Sequence, residues 1–158
     1  MAWFRGRHVQ FVWEPSGFLD AEEMVGFLNE KPTQHLMRMG REASQYHHDF
    51  VIRLLENYNE RLRFELGKRY GVSLPLITHR DMLSLVGMGQ TSRTHLAEQI
   101  YRDLIKAFEE RMTALRDTFA QAGPEEKDAI ASLVRTVDAL SAEDILEDWL
   151  CPEKNPEV

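Results

Sequence analysis

The sequence contains a single cysteine, Cys151, among 158 residues. One thiol cannot form an internal disulfide or a multi-thiolate metal site, which excludes both as supports of the fold. The sequence also lacks a run of about 18 apolar residues, the minimum for a membrane-spanning helix, and the unbroken apolar stretch of a signal peptide. We therefore expect a cytoplasmic protein that makes no contact with a membrane.

Signatures of catalysis are missing as well. No serine lies in a Gly-x-Ser-x-Gly elbow, and Cys151 precedes Pro152 without an obvious base nearby. The Glu-x-x-His motif that di-iron helical bundles repeat on paired helices is absent. We therefore predict no catalytic residue, no metal site and no cofactor, and we interpret the protein as non-enzymatic.

Charge is distributed unevenly along the chain, whose formal net charge is −7. Residues 31–116 hold 14 Lys and Arg against 10 Asp and Glu, a net charge of +4, together with five of the six histidines. Residues 117–158 hold 3 basic against 11 acidic residues, a net charge of −8. This asymmetry is typical of a polyanion-binding centre beside an acidic segment, although solvated helix faces alone also produce it.

Start and stop signals predict that most of the chain is helical. Pairs at N-capping spacing, Asp20 with Glu23, Thr78 with Asp81 and Ser141 with Asp144, each precede an apolar run. Pro124 opens a further helix. Between these signals, apolar residues recur every three or four positions, which indicates one buried face per helix.

The longest predicted helix runs from about residue 92 to residue 121. Its apolar stripe steps almost uniformly by four from Leu96 to Phe119 and ends before Gly123 and Pro124. At 1.5 Å per residue this helix would be roughly 45 Å long, more than one small core usually covers. We therefore expect its distal end to pack on a neighbouring chain, and the protein to be a homo-oligomer.

Two short segments have the pattern of extended structure. Residues 7–13 alternate apolar and polar side chains, as in a half-buried strand, and residues 71–77 could form an edge strand because they contain Pro75. A helix from Thr33 to Leu66 would be longer than a compact globule of this size, so we place a break or kink at Gly40. Gly67 and Gly71 offer the stop that follows.

These patterns predict one all-α domain over residues 1–158, a helical bundle of five or six helices with a short extended N-terminal arm. The arm covers residues 1–18, the main bundle residues 19–121, and the acidic C-terminal helices and tail residues 122–158.

The segment 83–100 has the layout of helix, glycine turn and second helix. Gly87-Met88-Gly89-Gln90 followed by Thr91 resembles the turn of helix-turn-helix proteins of the lambda-repressor type, although Arg93 stands where that family has an apolar residue. The resemblance implies that the second helix enters a major groove, with Gln90, Thr91 and Arg93 at base edges. Arg102 and Lys106 would then contact phosphates. Arg38 and Arg41 are further candidates for contact with nucleic acid in the basic middle region. Alternatively, Arg102 and Lys106 pair with Glu98 on a solvated helix face.

The residues Arg41, His47 and His48 form an Arg-x(4–6)-His pattern. This pattern resembles the catalytic motif of HEPN-type ribonucleases, which are also helical bundles. The resemblance implies that a histidine acts as general acid or base while the arginine holds a phosphate. A helical ribonuclease therefore stays open as an alternative.

Three functions follow from the sequence. The first is a non-enzymatic accessory or regulatory protein that contacts nucleic acid, or a nucleic-acid-bound complex, through the basic middle region. The second is a protein-only scaffold or inhibitor that uses the acidic C-terminal helices as its contact surface for a basic partner. The third is the HEPN-like ribonuclease. A protein partner is expected in the first two.

Overall fold

The computed structural model describes residues 17–86, 90–156 and 158, and within these residues the chain is helical with no strand. The helices are α1 (Ala21–Asn29), α2 (Lys31–Asn57), α3 (Arg63–Tyr70), α4 (His79–Val86), α5 (Arg93–Gln121), α6 (Pro124–Asp138) and α7 (Ala142–Trp149). A π-helical turn (Tyr58–Leu62) joins α2 to α3, and a 3-10 turn (Pro152–Lys154) follows α7. The predicted all-α class is confirmed.

Most of the predicted helix starts coincide with the observed ones, although α2 begins at Lys31, two residues before the predicted Thr33. Asp20 accepts a hydrogen bond from the backbone N–H of Glu23 at the start of α1, and Ser92 does the same for His95 at the start of α5. Ser141 and Asp144 form a reciprocal capping box at the start of α7. These signals are predictable because each depends on residues three positions apart along the chain.

The predicted strands are not found in the described residues. Residues 72–78 have no regular secondary structure and pair with no strand, and residues 7–13 lie outside the part of the chain that the structure describes. The segment 72–78 is instead held by side chains. Asn59 bonds to Ile77 through both of its amide atoms, and the Tyr58 hydroxyl donates to the carbonyl of Pro75 over 3.3 Å.

The sequence predicts a break or kink at Gly40, and the break is wrong. Helix α2 runs through Gly40 without interruption, and a Cβ built on that glycine would meet nothing within 4 Å. The diameter of one compact globule does not limit the length of this helix. The chain instead divides into two compact units, one ending at Glu42 and one formed by residues 43–158.

The first unit has little core of its own. Its helix α1 contains no buried residue, and Leu19, Met24 and Val25 are exposed. The Phe18 and Phe27 rings contact each other, with 5.3 Å between their centroids. Thr33 is the one buried residue among the described positions of this unit.

The second unit is built around α5, which packs against α4, α6 and α7. This helix contributes six buried residues to a continuous apolar core: Leu96, Ala97, Ile100, Leu104, Phe108 and Leu115. The other large contribution comes from the C-terminal part of α2, the π-helical turn and α3, where Leu54, Tyr58 and Leu66 are fully buried. Burial raises the pKa of the Tyr58 phenol above its ordinary value, and nearby Asp103 adds to that effect, so the hydroxyl stays neutral and able to donate.

Gly71 ends α3 in the left-handed conformation, with φ of 64°, as predicted for a C-terminal glycine. Arg111 of α5 donates from Nη1 to the carbonyls of Tyr70 and Gly71 over 3.0 and 2.6 Å. The end of α3 is thereby fastened to the central helix. None of the helices formed by the described residues is long and apolar enough to cross a membrane.

Candidate functional site

The residues predicted to contact nucleic acid fall into both units. Arg38 and Arg41 belong to the first unit. Arg38 donates to Nδ1 of His35 over 2.9 Å, and its Nε lies 3.9 Å from Oε1 of Glu42. Arg41 is exposed and has no hydrogen-bond or ion-pair partner among the described residues. The other predicted residues, from Gln90 to Lys106, belong to the second unit.

Thr91 is placed in the interior of the second unit, with 5% of its surface exposed. Its hydroxyl lies 3.3 Å from Nδ1 of His48, a residue 43 positions away in the sequence. A buried side chain cannot reach a base edge, so we correct its predicted role: Thr91 joins the start of α5 to α2. The sequence could not show this because the contact depends on the tertiary packing of α2.

Gln90 and Arg93 flank Thr91 and have different environments. Gln90 is exposed and donates from its amide to the backbone carbonyl of Ser44 over 2.7 Å, so it too ties the start of α5 to α2. Arg93 is half-buried in the first turn of α5. Arg102 follows nine residues later, which at 3.6 residues per turn is half a turn out of phase, so Arg93 and Arg102 lie on opposite sides of α5. The glycine turn itself, residues 87–89, lies outside the described residues.

Arg102 and Lys106 lie one turn apart on α5, and both side chains are exposed. In the described part of the chain, no ion pair joins either of them to Glu98 or to another carboxylate. The alternative prediction, in which Glu98, Arg102 and Lys106 form ion pairs along one helix face, is therefore not seen in the structure. The two cations remain free to contact an anionic partner.

The predicted ribonuclease residues are also divided, since Arg41 lies in the first unit and His47 and His48 lie in the second. The ring of His48 is positioned by Thr91 and by the ring of His79, whose centroid is 5.7 Å away in an edge-on arrangement. Sequence reasoning did not include His79, which the start of α4 brings beside α2. The ribonuclease alternative stays a prediction.

These histidines lie at one end of an open groove of about 1050 Å³ between the C-terminal part of α2 and residues 76–79. The groove has mixed chemistry, since Asp49, Arg53 and Glu56 line it together with apolar residues. No group of three His, Cys, Asp or Glu side chains within the described residues is arranged to hold a metal ion. We therefore assign no chemistry to this groove.

The acidic C-terminal region exposes its carboxylates as predicted. All ten acidic side chains described between residues 117 and 156 are exposed. Asp144 is held by the capping box of α7, and Asp148 forms an ion pair of 2.8 Å with Lys154. Contact with a basic partner through this surface stays a prediction.

A second, smaller groove lies between the distal half of α5 and α6, and we call it the α5–α6 groove. It has a volume of about 350 Å³ and is lined by Met112, Leu115, Arg116, Phe119, Ile130, Ala131, Val134 and Arg135. Beyond Leu115, helix α5 has no buried residue, and Phe119 is 41% exposed. Lys127 lies above one side of the Phe119 ring, 5.5 Å from its centroid.

The charged side chains of the α5–α6 groove are both arginines. Arg116 has no hydrogen-bond or ion-pair partner among the described residues, and Arg135 donates from Nε to the carbonyl of Ala131 over 3.2 Å. No carboxylate among the residues that the structure describes belongs to the lining. The sequence predicts an uncovered distal end of α5 but does not show the groove, because the groove depends on how α6 packs beside Met112 and Phe119.

No protein-family model, no curated protein and no solved structure matches this chain. Its function therefore has to follow from the chemistry of its own surface.

Proposed function

We propose that this protein is a non-enzymatic accessory protein that binds another protein through the α5–α6 groove. The observation that supports the proposal is the open apolar lining of this groove, to which the exposed Phe119 belongs. Burial of apolar surface contributes about 25 cal/mol per Å², so a partner that covers the groove stabilises the complex by removing this surface from water. Exposed aromatic side chains beside a concave surface are typical of the residues that dominate protein interfaces.

The position of the groove also favours a partner. Helix α5 packs against α4, α6 and α7, yet its last six residues beyond Leu115 are not buried by the described part of the chain. An uncovered apolar face on a helix costs stability in water unless a partner covers it. The sequence predicts that the distal end of this helix packs on a second copy of the chain, and this homo-oligomer stays a prediction beside the proposal.

The experiment replaces Phe119 by the photoreactive residue p-benzoylphenylalanine in the full chain, in the cells that make the protein. Irradiation should give a covalent adduct of discrete mass with one protein. The matched control carries the same residue at Phe64, which is 60% exposed and lies outside the groove. Equal labelling from both positions, or none from Phe119, would contradict the proposal.

Contact with nucleic acid is the second candidate, and one observation favours it. Arg102 and Lys106 are exposed, adjacent on α5 and without an ion-pair partner among the described residues. Two such cations can neutralise two phosphates and release their counterions. This narrower set replaces the larger one because Thr91 is buried and Arg93 faces the other side of the helix.

Titration of duplex and single-stranded DNA and RNA with the protein at several salt concentrations tests this candidate. The variant Arg102→Glu/Lys106→Glu should bind more weakly and should lower the slope of log affinity against log salt by about 2 for duplex DNA. The control Arg116→Glu/Arg135→Glu makes the same charge change in the α5–α6 groove. Binding that is absent at low salt, or equal in the two variants, would remove nucleic acid as a partner.

A further inference from the structure

We infer that the α5–α6 groove accepts an amphipathic helix with acidic residues on its polar face, supplied by the partner protein. The inference rests on the proposed function, because it names the chemistry of the partner that the groove would bind. Two observations support it: the apolar side chains that line the groove along α5 and the sign of the charges beside them.

The apolar lining has the length that one face of a helix requires. Met112 and Phe119 lie seven residues apart on α5, which is about 10.5 Å along the helix axis at 1.5 Å per residue. Residues i and i+7 of a second helix are separated by the same distance. Helices that bind in grooves insert apolar residues at i, i+3 or i+4, and i+7, so three anchors fit between these positions.

The volume of the groove fits side chains rather than a folded domain. Its 350 Å³ lie near the lower limit of about 300–1,000 Å³ that is usual for ligand clefts. Met112 gives the lining an adaptable side chain, since an unbranched thioether can adjust to anchors of different shape. A small number of leucine, methionine or phenylalanine anchors would therefore fill the groove.

The charges beside the lining favour carboxylates on the polar face of that helix. Arg116 and Arg135 belong to different helices, and no acidic side chain of residues 17–86, 90–156 or 158 lines the groove with them. The Nε atom of Arg135 is bonded to the carbonyl of Ala131, and the terminal nitrogens have no partner among the described residues. Arginine presents paired N–H donors that match a carboxylate in two parallel hydrogen bonds.

The net charge of the chain opposes an acidic partner, so the two effects have to be compared. Charges more than about 8 Å apart are largely screened at physiological ionic strength, which removes most of the C-terminal carboxylates. Asp138 is the exception, since it lies one turn from Arg135 on α6, although no ion pair joins the two among the described residues. A partner carboxylate that contacts Arg116 or Arg135 at the edge of the apolar groove is screened less than an exposed pair, so we expect these short-range pairs to decide the sign of the preference.

The test uses the full chain and a model peptide of about 15 residues, the length at which isolated helices become stable. The peptide has leucine at i, i+3, i+4 and i+7 and glutamate at most other positions, and its control has lysine in place of each glutamate. We expect the glutamate peptide to bind at least tenfold more tightly than the lysine peptide. The variant Arg116→Glu/Arg135→Glu should reverse that order, whereas Arg102→Glu/Lys106→Glu, the same charge change outside the groove, should leave it unchanged.

Each outcome has a separate meaning. Equal binding of both peptides, or a preference that survives Arg116→Glu/Arg135→Glu, would overturn the acidic helix while the protein-binding function stands. Failure of both peptides together with an adduct at Phe119 would show a partner of different chemistry, and failure of both without an adduct would remove the function itself.

A dimer detected by light scattering that Arg116→Glu/Arg135→Glu dissociates, with no peptide binding, would identify a second copy of this chain as the occupant instead. Circular dichroism melting of each variant verifies that it folds.

Discussion

The side-chain amide of Asn59 makes the two hydrogen bonds to the backbone of Ile77 that a neighbouring strand would make in a sheet. Its Nδ2 donates to the carbonyl of Ile77 over 2.8 Å, and the N–H of Ile77 donates to its Oδ1 over 3.0 Å. Both polar backbone groups of Ile77 are thereby satisfied although the residue is buried and belongs to no sheet. The pair fixes the segment 72–78 on the π-helical turn.

Replacing Asn59 by Ala should lower the free energy of unfolding of the second unit by about 1–3 kcal/mol, because it leaves both backbone groups of Ile77 without partners. Urea denaturation measured by circular dichroism gives the value. The neighbouring variant Glu60→Ala, at an exposed position, should change it by less than about 0.5 kcal/mol. A similar loss in both variants would mean that the amide is not what holds the segment.

Replacing Gly71 by Ala should destabilise the protein by at least about 1 kcal/mol, since a side chain is strained in the left-handed conformation. A Cβ at this position would also lie 1.9 Å from Nη1 of Arg111, so the contact between α3 and α5 would have to open. Thermal melting should show a lower midpoint. A midpoint equal to that of the natural protein would show that Arg111 moves aside without cost.

Replacing Gly40 by Ala should have the opposite effect. Gly40 is exposed within α2 and has space for a Cβ, so alanine gains about 0.5–1 kcal/mol of helix stability. The helical signal in far-ultraviolet circular dichroism should persist to a higher temperature. A lower melting temperature than that of the natural protein would show that α2 requires a glycine at position 40.

Two capping aspartates, Asp81 and Asp144, should make the free energy of unfolding depend on pH. Hydrogen bonds from Thr78 hold the pKa of Asp81 below its ordinary value, and hydrogen bonds from Ser141 do the same for Asp144. A depressed pKa in the folded state stabilises the fold above the unfolded pKa of about 3.9, and this contribution is lost as the pH falls through the folded value.

The variant Asp81→Asn/Asp144→Asn should therefore melt below the natural protein at pH 7, and the difference should narrow in acid below about pH 4. Thermal melts across this range measure it. The control Asp128→Asn removes an exposed carboxylate that makes no hydrogen bond among the described residues. A difference between the double variant and the natural protein that stays constant with pH would contradict the assigned cause.

The helix boundaries were predictable from sequence because Asp20, Thr78 and Ser141 act within one turn of their own helix. The path of α2 was not, because Gly40 carries no signal that distinguishes an interrupted helix from a continuous one. The same limit applies to function. The role of Thr91 depends on its contact with His48, and the α5–α6 groove depends on how far α6 covers Phe119. Both are contacts between residues far apart in the sequence, which no local pattern encodes.

The π-helical turn at Tyr58–Leu62 means that the chain has one residue more than an uninterrupted α-helix needs there. Tyr58, Leu62, Leu66 and Tyr70 recur every four residues, and a regular α-helix would carry them around its axis by about 40° at each step. The wide turn absorbs part of that rotation and keeps all four in the core. A distant relative with a regular helix at this place would align with this chain only after a one-residue gap is opened between Asn57 and Arg63.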